Sequence, residues 1–364
     1  MIAQKKIFSL SKPFITESGE TIKTPLMAYE EYGLPDGPVL LITHGGLSSQ
    51  HAAGKYHESD PEPGFWDGII GPGKAVDTEK FRVISVNSLG SMHGSSGPMT
   101  ENPETGKPYG PDFPAITMID QARFYKAFLD DLDISKIFMA AGPSMGSMQN
   151  LQMAALFPDL VGSVVSVATA GRMTPGGMAM HEFIISALKK DPDFEGGYYF
   201  LKGKKPVLAL KIIHEIARIY YTHEKLIKTL CWDTVPENKY VQRQRSENIR
   251  NYLTAMIDEH IADKDPNCYI SLLNAINSFN LGRDTESYEK GVQRIKCPVL
   301  LMNMDTDAEF PPYWAQEVAD ILNKKNPGQA RMEVIPSIWG HIGCLRETEA
   351  LGKHISKFIQ ELLS

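Results

Sequence analysis

Cysteine is scarce in this chain: four stand among 364 residues, Cys231, Cys268, Cys297 and Cys344, and none forms a Cys-x-x-Cys pair. So thin and scattered a set excludes a disulfide framework and fits a reducing compartment. Long runs of positive charge are missing too. The 37 Lys and Arg are outnumbered by 44 Asp and Glu, for a net charge of −7, which removes nucleic acid as the expected partner. No stretch approaches the roughly 18 apolar residues of a membrane span. Lys5 and Lys6, near the start, are not followed by an apolar segment of signal-peptide length. The expectation is a cytoplasmic protein without a membrane segment. Repeats and low-complexity tracts are absent as well. What remains is an ordinary globular composition, 42% hydrophobic and 22% charged, long enough for two domains or one large domain with an insertion.

Short β-branched runs recur, separated by glycine-rich turns and helical stretches: Val39 to Ile42, Arg82 to Val86, Ile137 to Ala140, Val164 to Val167, Pro298 to Met302 and Arg331 to Ile335. Near-continuous apolar strands imply burial on both faces, hence a mostly parallel sheet covered by helices, an α/β fold. Ile355, Phe358, Ile359 and Leu362 fall at helical spacing and predict a closing helix. Between Thr174 and about Lys290 the strand pattern stops. Helical patterns replace it around Phe183 to Leu188, Val207 to Tyr221 and Tyr240 to His260. The economical division is a core of residues 1–173 and 291–364 interrupted by a helical insertion, 174–290. The Gly-, Pro- and Ser-rich loop from Asn87 to Pro114 is expected to be functional because of its length.

Gly142-Pro143-Ser144-Met145-Gly146 follows a predicted strand and opens a predicted helix. In that context G-x-S-x-G is a nucleophile elbow, with the serine on a strained turn and glycines where strand and helix crowd together. A serine nucleophile needs a base and an acid to orient it, and in this arrangement acid and then histidine follow in the chain. Asp305, Asp307 and Glu309 compete after the strand at Pro298. Asp307 is chosen for its place four residues before Pro311, and Asp305 is assigned to capping the turn. His341, flanked by Gly340 and followed closely by Gly343, arrives after the last strand as the base. For the oxyanion hole the expected donors are the N–H of Met145 and that of Gly46, with Gly45 as runner-up, in the loop His44-Gly45-Gly46-Leu47-Ser48.

Two other patterns fail on chemistry. Gly68 to Lys74 has the spacing of a phosphate loop, but Ala75 offers no hydroxyl and Pro72 no N–H. His-Glu pairs at His181, His214 and His223 lack a second ligand four residues on, where Ile185, Arg218 and Ile227 stand, so no metal is expected.

Several motifs together carry a family likeness. Gly64 to Thr78, Asn87 to Gly90, Gly94 to Pro98, Asn102 to Gly110, Asp112 to Pro114 and Ser144 to Gln149 resemble homoserine O-acetyltransferases, an acyltransferase branch of the α/β-hydrolases, and the resemblance spans nearly the whole chain. It implies a helical lid, an acyl-CoA (acetyl-CoA) co-substrate with no bound cofactor, a homodimer joined through lid helices, a small alcohol or amino-acid acceptor and a place in methionine biosynthesis. Its nucleophile, acid and base fall on Ser144, Asp307 and His341, and its lid tyrosine on Tyr221. The chain departs where the family grips homoserine. Ile342 stands in place of an aspartate that holds the ammonium, and His214 in place of an arginine that holds the carboxylate, with Arg218 the nearest other lid cation. Acyl transfer through an acyl-serine is the expected reaction, with a serine hydrolase as the alternative. A binding protein on a dead scaffold is disfavoured because no triad position is lost.

Overall fold

The computed structural model describes all residues, Met1–Ser364. Eight strands form the main sheet: β1 (Lys6–Ser9), β2 (Leu26–Gly33), β3 (Val39–Thr43), β4 (Arg82–Val86), β5 (Met139–Pro143), β6 (Val164–Val167), β7 (Val299–Met304) and β8 (Ala330–Ile335). Their order is β1-β2-β4-β3-β5-β6-β7-β8. The first two join antiparallel at one edge, and every pairing from β4 to β8 is parallel. Alternation along the strands explains the two-sided core. Leu40 and Ile42 pack on one face with Leu300 and Met302, while Leu41 packs on the other with Val164 and Leu301.

Seven of the helices matter for placing the site. On one face lie α1 (Met118–Asp131), opened by a reciprocal Thr117–Asp120 capping box, and α2 (Met145–Leu156). The last helix of the chain, which buries Leu351, Ile355, Phe358 and Ile359, covers the other face. No strand occurs between β6 and β7. That stretch holds α3 (Pro175–Lys190), α4 (Val207–Tyr220), α5 (Val241–Thr254) and α6 (Pro266–Asn277), with shorter helical turns between them. Met256 at φ 54° breaks the pattern that in sequence runs from Tyr240 to His260, so two helices replace the single expected stretch. No helix is long and apolar enough to cross a membrane.

The loop from Asn87 to Pro114 holds the buried His44 just after β3, the Ser88 N–H donating to its Nε2 at 3.1 Å. None of its residues lines the cavity at Ser144. Its serines instead complete the β2 edge, the Ser95 and Ser96 hydroxyls accepting the N–H groups of Ala28 and Leu26 at 3.0 and 2.8 Å. Its length serves backbone hydrogen bonding that a two-stranded ladder would otherwise supply.

Candidate active site

Parallel strands deliver their loops to one edge of the sheet, and four such loops meet here. Ser144 lies between β5 and α2 with φ 52° and ψ −123°, a conformation an L-residue holds only when its surroundings impose it. They do so through close approach. A Cβ on Gly146 would lie 2.6 Å from the Thr43 carbonyl oxygen, and one on Gly142 would collide with the same residue. Only glycine lets α2 start this close to β3. The Ser144 N–H donates to the Val167 carbonyl at 2.8 Å, tying the turn to β6.

His341, on a short helical turn after β8, places Nε2 2.9 Å from Ser144 Oγ and Nδ1 2.8 Å from Asp307 Oδ2. The other Asp307 oxygen accepts the backbone N–H groups of Glu309 and Phe310 at 2.8 and 2.9 Å, which fixes the carboxylate plane. Asp305 accepts the Ser337 N–H and takes no part in the contact with His341. Burial disfavours the charged form of His341, but the Asp307 and Glu309 carboxylates and the Asp307 hydrogen bond outweigh it and push the pKa up to about 9.

The cavity around Ser144 has a volume of about 150 Å³. Gly45, Gly46 and Leu47 line it from the loop after β3, Met145 and Met148 from α2, and Ile342 from beside His341. The helical insertion adds His181, Tyr221, Leu273 and Ile276. His44 is fully buried, and its Nδ1 donates to the Gly45 carbonyl at 2.7 Å. Because a trans peptide points its C=O and N–H in opposite directions, this bond turns the Gly46 N–H away from His44. The Met145 N–H, in the first turn of α2, has no intrahelical acceptor.

Two expected residues stay outside this cavity. Arg218 is occupied elsewhere, donating to the carbonyls of Tyr252 and Ala255 at 2.8 and 3.0 Å and to His214 Nε2 at 3.0 Å. His214 is pushed down to about 4, by burial first and then by the Arg218 and His260 charges, so it is neutral at pH 7. Arg218 lines a neighbouring depression of about 730 Å³ that shares Ile342 and Leu345 with the cavity and also carries His260 and Arg346. Conversely, Glu309 and His181 line the cavity although nothing in their spacing singled them out. Glu309 was one of three acids in a turn, and His181 one of three His-Glu pairs read as bland. The only signal for His44 was its place at the head of the His-Gly loop.

A family model for the alpha/beta hydrolase fold matches residues 38–348, and the strand order agrees with it, so the class of the protein is that of the α/β-hydrolases. Within the class the likeness is narrower. The homoserine O-acetyltransferase of Moorella thermoacetica is 34% identical over 99% of this chain and 97% of its own length. The X-ray crystal structure of the homoserine O-acetyltransferase from Bacillus anthracis superposes with a TM-score of 0.90 at 27% identity, covering 98% of each chain. The chain belongs to the homoserine O-acetyltransferase family, a family of acyltransferases. Esterase E22 is similar as well, at 32% identity and a TM-score of 0.87 over 98% of this chain and all of that one.

Proposed function

We propose that this chain is an acyl-CoA-dependent O-acyltransferase that works by double displacement through an acyl-serine. Ser144 is the nucleophile, His341 the base and Asp307 the group that orients it. The observation that carries the reading is the unbroken contact from Asp307 through His341 to the Ser144 hydroxyl, 2.8 and 2.9 Å, at the mouth of a small buried cavity. As Oγ attacks the thioester carbonyl, its proton passes to His341 Nε2, and the negative charge moves to the carbonyl oxygen. The N–H groups of Gly46 and Met145 are the donors for that oxyanion, Gly46 oriented by His44 and Met145 by the helix start. The CoA thiolate leaves with the proton, and an acceptor hydroxyl repeats the sequence in reverse.

A cavity of about 150 Å³ suits a short acyl group such as acetyl. Residues 174–290 act as the lid, which brings Tyr221 over His341 with ring centroids 5.5 Å apart. The adjoining depression with Arg218, His260 and Arg346 is where the phosphates of a CoA donor would rest. On α4, Leu208, Ile212 and Ile219 are exposed, which supports a homodimer through the lid helices.

Hydrolysis is the second reading, and the cavity charge favours it over efficient use of homoserine. Its charged or titratable lining is His181, Glu309, His341, the Tyr221 phenol and the Cys344 thiol, with no lysine or arginine for a carboxylate. Ile342 adds an apolar wall beside the base. The likeness to esterase E22 points the same way. Acetyl-CoA turnover with and without a panel of hydroxy amino acids and simple amino alcohols tests both readings. Turnover that rises with an acceptor and yields its O-acetyl ester supports transfer. Turnover indifferent to every acceptor supports hydrolysis, and no labelling of Ser144 by a fluorophosphonate overturns both.

A further inference from the structure

One buried acid in the cavity has no part in the double displacement. Glu309 is 4% exposed, and its two oxygens face two different imidazoles. Oε2 lies 3.3 Å from His341 Nε2, and Oε1 lies 3.3 Å from His181 Nε2. The backbone is held on both sides: the Glu309 carbonyl accepts the Thr174 hydroxyl at 2.8 Å and its N–H donates to Asp307 at 2.8 Å. Helix α3 presses on the side chain so closely that a Cβ on Gly177 would lie 3.2 Å from Glu309 Cγ.

Donor and acceptor counting shows what lies between acid and imidazole. The Asn277 amide nitrogen donates to the Glu182 carboxylate at 3.2 Å, so the amide oxygen is the atom 2.7 Å from His181 Nδ1. An amide oxygen only accepts, and His181 therefore carries a hydrogen on Nδ1. A neutral His181 would turn the lone pair of Nε2 toward Glu309, so the 3.3 Å contact is attractive only with one further proton shared by the pair. His341 obeys the same count. In the neutral form that catalysis needs, its Nδ1 hydrogen goes to Asp307 and its Nε2 lone pair to the Ser144 hydroxyl. Glu309 thus gains a donor at Nε2 only after that nitrogen has been protonated.

We propose that Glu309 is a second carboxylate partner of His341, engaged when Nε2 takes up the serine proton, and that His181 is the positioning residue that holds Glu309 in place through the shared proton. This rests on the acyl-serine reading above. During attack the Ser144 O–H bond breaks and the Oγ–C bond forms, the proton goes to Nε2 and the charge to the carbonyl oxygen. Glu309 takes no proton and accepts the new Nε2–H beside the departing oxygen. When the leaving group collects that proton, the contact returns to its resting state. The other groups facing this pair are Asp307, the Tyr220 and Tyr221 phenols at the end of α4, and the Cys344 thiol. Burial above all, reinforced by the two carboxylates, keeps the phenols and the thiol neutral. Asp307 and Glu309 are left as the acids acting on His341.

The test is the pH profile of kcat/KM for p-nitrophenyl acetate, which acylates the serine without needing CoA or an acceptor. Glu309→Gln is expected to move the midpoint of the acid limb down by about one pH unit, with Glu309→Asp restoring part of the shift. His181→Gln is expected to move the limb when Glu309 is present and to have no effect on it in the Glu309→Gln background. A limb that stays in place in Glu309→Gln, or that His181→Gln moves equally in both backgrounds, overturns the proposal. Should Glu309→Gln not fold, an unmoved limb in both Glu309→Asp and His181→Gln overturns it instead. Fluorophosphonate labelling of the unmodified enzyme separates the two levels: no label at Ser144 removes the acyl-serine reading itself, whereas a labelled enzyme with an unmoved limb removes only Glu309.

Discussion

Asp305 holds Ser337: its Oδ1 accepts the Ser337 backbone N–H at 2.8 Å and pins the loop that carries His341. Asp307, two residues on, gives its Oδ2 to His341 itself. Neighbouring acids in one turn thus do different work, one on the loop and one on the imidazole. Asp307→Asn should cut kcat by roughly 10³–10⁴-fold by misorienting the base, with little change in KM. Asp305→Asn should leave kcat within a few-fold and lower stability by about 1 kcal/mol. Steady-state kinetics and thermal melts of both purified variants check the ranking, and the reverse order would assign the wrong aspartate.

Ser144 stores strain as well as chemistry. Its φ of 52° costs about 1–3 kcal/mol for a residue with a side chain. Ser144→Gly is therefore expected to raise thermal stability while abolishing the acyl-enzyme, and Ser144→Ala to abolish it without relieving the strain, because alanine keeps the Cβ. Mass spectrometry after incubation with acetyl-CoA reads the acyl adduct, and a variant that still acylates at a near-normal rate would rule out this nucleophile.

The pH dependence follows from His341. A base must be neutral to take the serine proton, and with its pKa pushed up to about 9 the imidazole is mostly charged at pH 7. Activity should rise through the alkaline range toward that value. Stability runs the other way. A histidine with a folded pKa above its unfolded value of about 6.5 contributes stability in full below 6.5 and loses it as pH rises through the folded value. Melting temperatures measured from pH 6 to 10 should fall across that window, and less steeply in a His341→Gln variant.

How much of this was readable beforehand depended on local pattern. The parallel strands stood out because five of the six are buried on both faces, and five of the expected runs begin or end within a residue of the observed strand. The antiparallel strand β2 did not. Glu30 and Glu31 interrupt its apolar run, yet Glu30 is wholly buried, because Tyr56 Oη donates to it at 2.6 Å and Tyr32 and His51 also contact it. A buried, fully partnered acid looks in sequence like a surface one. The same blindness hid Glu309, whose partners His181 and His341 lie 128 and 32 positions away along the chain. Ser144, Asp307 and His341 were legible because strand ends fix where such groups emerge. His214 and Arg218 sit on a helix, and position along a helix does not say which way a long side chain turns.

Helix α4 presents Leu208, at 65% exposure, with Ile212 and Ile219 on the outside of the insertion. If these residues form the dimer contact, Leu208→Glu with Ile212→Glu should convert the protein to a monomer in light scattering. Loss of the dimer should spare labelling of Ser144, because Asp307, His341 and Ser144 are brought into contact within one chain. A wild type that is monomeric at micromolar concentration would refute the contact.

On the proposed reading, Ile342 governs the choice of acceptor. It lines both the cavity and the wider depression, so an acceptor reaching His341 from that depression passes its apolar side chain. An amino acid entering here leaves its ammonium without a dedicated partner at this wall, and its carboxylate meets no cation in the cavity. His214 does not supply one, because it is neutral and its Nε2 already accepts the Arg218 Nε–H at 3.0 Å. Arginine at position 214 would have to displace that contact and would stand beside a fixed guanidinium, so His214→Arg should add little. Ile342→Asp should do more, since a charge-assisted contact contributes about 1.5–3 kcal/mol, roughly ten- to a hundredfold in kcat/KM for homoserine. The comparison is wild type, Ile342→Asp, His214→Arg and the double variant, each assayed with acetyl-CoA and homoserine and scored for ester formed against acetate released. Ile342→Asp with no gain in ester would sink the assignment of this position, and a gain confined to the double variant would show that the lid residue matters more than its present contacts indicate.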